Sequence, residues 1–118
     1  MSENELNPTA AGHRQISIRL LWRDLFGREK TLASAGILIV GRSEGLGLSL
    51  PDPVVSRFHC AFIPLILCEL CCPVRWHIAD LGSRNGTYVN GCRITEPVVL
   101  KDQDVIQIGR THLLVVSL

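Results

Sequence analysis

The chain has 118 residues, 47% of them hydrophobic and 19% charged, which bounds it to one small globular domain and excludes two full ones. Twelve Lys and Arg stand against eleven Asp and Glu, for a net charge of +1. That balance argues against a bulk electrostatic grip on DNA or an anionic membrane, so any anion must be held by a local cluster of basic residues. At 5%, aromatic residues are too sparse for a nucleic-acid stacking platform, and no apolar run reaches the length of a membrane span.

Residues 1–13 are polar and non-periodic and read as a flexible tail without a signal-peptide core. A cytoplasmic location with reduced cysteines follows as the expectation. From Ile16 the pattern becomes period two: Ile16, Ile18, Leu20 and Trp22 alternate with Ser17 and Arg19, with a slip at Leu21. The charged stretch Arg23 to Lys30, broken by Gly27, reads as a turn. Ile37 to Val40 is a short β-branched run, and a long loop region punctuated by Gly45, Gly47, Pro51 and Pro53 follows. Phe58 to Leu67 is strongly apolar, and Pro64 within it predicts a bulge or an edge position. Trp76 to Leu81 is another strand. Asn85-Gly86 and Asn90-Gly91 read as tight turns whose residues tolerate positive φ. Val98 to Leu100, Val105 to Ile108 and Leu113 to Val116 complete the set. No window holds a 3.6-residue period, so an all-β sandwich or barrel is predicted.

Polar residues gather at predicted strand ends: Arg42, Ser56, Arg57, Ser83, Arg84 and Asn85. Loops at one end of a sandwich converge in space. Arginine forks, hydroxyls and an amide brought together there suit an oxyanion such as phosphate. Ser56 and His59 lie too close along one loop for a nucleophile and its base. No G-x-S-x-G elbow, G-x-G-x-x-G loop or P-loop occurs, so no enzymatic activity is expected.

The order Gly41-Arg42, then Ser56-Arg57-Phe58-His59, then Ser83-Arg84-Asn85-Gly86-Thr87 with Asn90-Gly91, closely resembles the forkhead-associated (FHA) domain family. Leu100, Asp104-Val105-Ile106 and Ile108-Gly109 resemble that family's last strands, so the resemblance covers about residues 16–118. It implies an all-β, SMAD/FHA-type sandwich of eleven strands at residues 14–118, with the binding loops at one end and the termini at the other. It also implies a phosphopeptide-binding module that recognises phosphothreonine in a partner protein and acts as a signalling adaptor downstream of Ser/Thr kinases. By position, Arg42 and Ser56 would contact the phosphate. Arg57 would contact phosphate or peptide, Arg84 would lie beside the phosphothreonine, and Asn85 would bond the peptide backbone. Gly41, His59 and Gly86 would be structural, with His59 bracing the loop that carries Ser56.

Gln103 departs from the pattern, because the family commonly has glycine there; if that turn needs positive φ, glutamine is costly. Cys68, Cys71 and Cys72 with His77 nearby lack the paired clusters of a structural zinc site, so neither metal nor cofactor is expected. Cys60 and Cys92 belong to strands. The alternative function is a phosphate-independent scaffold that binds partners through a sheet face. Thr9 is the threonine of the tail, and phosphorylated it would be a ligand of the same class. The tail from Thr9 to Ile16 spans at most about 24 Å, short of a domain roughly 35 Å across. It would therefore reach a neighbour's pocket and give phosphorylation-dependent self-association.

Overall fold

Short runs of alternating apolar residues between Gly, Pro and Asn turns become strands here because each can bury one face only. The computed structural model describes residues 17–68 and 72–118. Thr9 and Cys71 lie outside the described residues. Eleven strands form: β1 (Ile18–Arg23), β2 (Glu29–Ser34), β3 (Leu38–Gly41), β4 (Leu48–Ser49), β5 (Cys60–Cys68), β6 (Cys72–Asp80), β7 (Thr87–Val89), β8 (Cys92–Arg93), β9 (Val98–Val99), β10 (Val105–Ile108) and β11 (Thr111–Ser117). They pair as two sheets, in the orders β2-β1-β11-β10-β7-β8 and β4-β3-β5-β6-β9. Among the described residues there is no helix, and none therefore that is long and apolar enough to cross a membrane.

The core is the period-two set of both sheets. Ile18 and Leu20 of β1, Ile106 and Ile108 of β10, and Leu113 and Val115 of β11 face Leu38, Val40, Phe62, Trp76 and Ile78 of the other sheet. Cys60 is one of these core residues, and burial pushes its thiol well above the ordinary range, so it serves as a small apolar side chain. Cys92 is exposed on β8. Cys68 and Cys72 are register partners across the β5–β6 hairpin.

The slip at Leu21 marks an apolar residue on the outer face, where Leu21 is the register partner of Leu114. Pro64 resolves to the edge alternative. Register is continuous through Pro64↔Trp76, and β3 pairs with β5 only as far as Phe62, so Pro64 has a sheet neighbour on one side.

Two expectations are corrected. The charged stretch is a turn only over Asp24–Arg28, for Arg23 ends β1 and Glu29 and Lys30 open β2, which pairs with β1 from Arg23↔Glu29 to Ile18↔Ser34. Being an edge strand with little to bury, β2 carries Glu29, Lys30 and Thr31 rather than an apolar alternation. Asn90-Gly91 is a two-residue hairpin with φ of 51° and 85°, but at Asn85-Gly86 only the glycine has positive φ, 91°. Asn85 belongs to an open loop between sheets, not to a hairpin turn.

Gln103 has φ of 73°. A side chain in the left-handed region costs about 1–2 kcal/mol, part of which glycine returns through unfolded-state entropy. Gln103→Gly is therefore expected to stabilise the domain by about 0.5–1 kcal/mol and raise the melting temperature by a few degrees. Calorimetry showing a lower melting temperature would mean that the glutamine side chain compensates for the strain.

Candidate functional site

Strands β3, β6 and β10 end, and β5 and β11 begin, at one end of the sandwich, so the loops joining them meet there. Gly41 starts the first loop. A Cβ on it would lie 2.0 Å from the Arg57 carbonyl oxygen, so only glycine lets the β4–β5 loop pass so closely. The Arg42 amide donates to the Ser56 carbonyl at 2.9 Å, and Arg42 Nε donates to the Val55 carbonyl at 3.0 Å. This leaves the remaining guanidinium nitrogens of an exposed side chain available to a ligand.

His59 is wholly buried and joins two loops. The Ser56 amide donates to Nδ1 at 3.0 Å, so the ring proton sits on Nε2, which donates to the Gly86 carbonyl at 2.8 Å. An imidazole occupied by two backbone groups ties the β4–β5 and β6–β7 loops together. His59→Ala would orphan a buried N–H and a buried C=O, at a cost of about 1–3 kcal/mol. The variant is expected to melt several degrees lower while keeping most of its ligand affinity in the cold. Thermal melts paired with titration check this, and an unchanged melt with lost binding would make His59 a ligand instead.

Ser56 Oγ accepts the Arg84 amide at 2.9 Å, which leaves its O–H free to donate to an anion. Asn85 Nδ2 donates to the Val54 carbonyl at 2.8 Å, so the β4–β5 and β6–β7 loops are bonded at two points beyond His59. The side chains of Arg57, Arg84 and Asn85 are exposed at this end, and those of Arg57 and Arg84 make no hydrogen bond to another described residue. All five predicted ligands and the three predicted braces thus lie on the same pair of bonded loops and the strand end beside them.

Several positioning residues carry no signal in the motif spacing. Asp80 accepts from the Ser83 hydroxyl, the Thr87 hydroxyl at 2.7 Å, and the Gly82 and Ser83 amides at 3.0 and 2.9 Å. It shapes the turn that presents Arg84 and Asn85. Buried Asp52 does the same for the β4–β5 loop, accepting the Val54 amide at 2.9 Å and pairing with Arg110 at 3.1 Å. Burial pushes both carboxyls up, but the hydrogen bonds they accept outweigh it and hold them below the ordinary carboxylate value. Lowered folded-state values mean that both braces contribute stability above the ordinary carboxylate pKa and lose it as pH falls through the lowered ones. Arg93 is a further basic residue of the site. Its guanidinium packs on Gly86, where a Cβ would lie 2.7 Å from Nε. The Asn90-Gly91 hairpin brings it there by pairing Arg93 with Tyr88.

A family model for the FHA domain matches residues 38–109. The FHA domain-containing protein FhaA of Mycobacterium tuberculosis is 34% identical over 109 residues, covering 88% of this chain and 18% of that protein. The chain spans between 11% and 52% of the length of the curated relatives it matches. A solved FHA domain studied for phosphothreonine-dependent interactions is 33% identical, covers 84% of this chain and 94% of its own, and superposes with a TM-score of 0.65. The FhaA FHA domain, solved in complex with the intracellular domain of Rv3910, is 33% identical with a TM-score of 0.64, covering 83% of this chain and 98% of its own. With the family model spanning more than half of the residues and the eleven-strand sandwich in place, the chain belongs to the FHA domain family.

Proposed function

We propose that residues 14–118 form a cytoplasmic module that binds phosphothreonine in a partner protein, downstream of a Ser/Thr kinase, and that the domain recruits rather than catalyses. One observation carries the reading: Ser56 accepts the Arg84 amide and keeps its hydroxyl proton free, on loops that bond to each other and that carry the exposed side chains of Arg42, Arg57 and Arg84. Arg42 and Ser56 hold the phosphate, Arg57 and Arg84 flank it, and Asn85 takes the peptide backbone. Gly41, His59 and Gly86 keep the loops in place. The phosphothreonine-dependent interactions of a solved FHA domain to which this chain is similar support the same reading. Phosphorylated Thr9 is a ligand of this chemistry for a second copy of the chain, giving self-association that disappears in Arg42→Ala.

Calorimetric titration with three versions of one peptide tests the proposal. The phosphothreonine form should bind, the unphosphorylated form should not, and the phosphoserine form should bind at least about fourfold more weakly for want of one buried methyl group. Equal affinity with and without phosphate would overturn the proposal in favour of a scaffold. The scaffold reading has its own observation: Leu21, Leu114 and Val105 form one cross-strand row on the outer face of the β1-β11-β10 sheet.

A further inference from the structure

The β1–β2 turn lies at the same end as the binding loops, and the phosphothreonine reading leaves it unused. Asp24 shapes it by accepting the Phe26 amide at 2.9 Å and the Arg28 amide at 2.8 Å. That turn sets two apolar side chains outward, with Phe26 81% and Leu25 53% exposed. Single exposed apolar residues are ordinary on a surface, but these two border a groove of about 400 Å³ that continues over Trp22, Leu50, Pro51 and Asp52.

The groove reaches Asp52, at the start of the loop that carries Ser56. Asp52 opens the β4–β5 loop and bonds the Val54 amide, and the Val54 carbonyl in turn holds Asn85. Ser56 lies four positions after Asp52, a reach of at most about 14 Å, which an extended peptide also covers in about four residues. The rim is basic. Asp24 and Asp52 each have an arginine partner, Arg28 and Arg110, so Lys30 supplies a cation in excess. The Arg28 guanidinium lies over the Phe26 ring, 5.1 Å from its centre.

We infer that this groove extends the phosphopeptide site. It takes an apolar side chain, with an acidic residue next to it, from the same peptide about four to six residues away from the phosphothreonine. The inference rests on the phosphothreonine reading. It names which partners that site prefers: segments in which a phosphothreonine is followed or preceded at that distance by an apolar–acidic pair.

The test uses three synthetic phosphothreonine peptides. One is short, about three residues to either side of the phosphothreonine; one is extended on both sides with Leu-Asp pairs; one is extended equally with Ser-Gly. The Leu-Asp peptide is expected to bind about fivefold tighter than the Ser-Gly peptide, the equivalent of burying part of one leucine. Leu25→Ser with Phe26→Ser, both at an exposed turn, should erase that difference while leaving the melting temperature and the affinity for the short peptide unchanged. Lys30→Glu should reverse the preference when Leu-Lys pairs replace Leu-Asp. A Leu-Asp advantage that survives in the double variant, or that wild-type protein never shows, overturns the inference while the short peptide still binds. Failure of the short peptide to bind wild-type protein overturns the phosphothreonine reading, and this inference with it.

Discussion

Arg42→Ala is expected to weaken phosphothreonine-peptide binding by about 30- to 150-fold, the equivalent of about 2–3 kcal/mol for a lost set of charge-assisted hydrogen bonds. The magnitude follows from how Arg42 is held. Its Nε is fixed on the Val55 carbonyl at 3.0 Å, so the terminal nitrogens are aimed before the ligand arrives and little rotamer entropy is lost on binding. The fold should survive, because the side chain is exposed and its removal breaks a single hydrogen bond, to the Val55 carbonyl. Arg42→Lys should recover only part of the loss, since an ammonium keeps the charge without the fork. Arg19→Ala, an exposed arginine on β1, is the control. Equal losses in Arg42→Ala and Arg19→Ala, measured by calorimetry at one salt concentration, would refute a localised phosphate pocket.

Gly41→Ala should give the largest loss of stability of any single methyl addition in the loops. Its Cβ would lie 2.0 Å from the Arg57 carbonyl oxygen and 2.7 Å from the carbonyl carbon. Those are backbone atoms of a bonded loop and cannot swing aside as a side-chain tip can. Relief requires moving the segment that carries Ser56 and Arg57, for which overpacking costs about 3 kcal/mol and a fall in melting temperature of roughly 10 °C. The same movement pulls Ser56 from Arg84, so binding should fall even at temperatures where the variant is folded. Gly36→Ala, with open space around its Cβ, should melt close to wild type. A Gly41→Ala protein that melted with the control would show that the β4–β5 loop does not run against β3.

Much of this was legible along the chain, and the reason is local. The side-chain period of a strand is two, so Ile18 and Leu20, Leu38 and Val40, and Ile106 and Ile108 announce their buried face without reference to a partner. Asn90-Gly91 announces its hairpin because two successive positive φ values tolerate few other residues. The spacing from Gly41-Arg42 to Asn85-Gly86 carries the family resemblance, and so the identity of the candidate ligands. Even the strain at Gln103 could be anticipated, because a turn that calls for glycine makes the same demand of whatever residue occupies it.

What only the tertiary structure decided depends on partners distant in sequence. An edge strand buries little, so β2 shows no apolar alternation to read, and its existence rests on pairing with β1. Asn85-Gly86 looks locally like Asn90-Gly91, yet it forms an open loop because Asn85 is bonded to Val54, 31 residues away, rather than to a facing strand. Asp52 reads as a solvated loop acid until Arg110, 58 residues on, is brought beside it. Arg93 stands in none of the sequence motifs, and it is the β7–β8 hairpin that lays it on Gly86. Composition and period determine which residues turn inward; which loops share an end, and which carboxylates hold them there, is set by sheet order, which no local run of residues encodes.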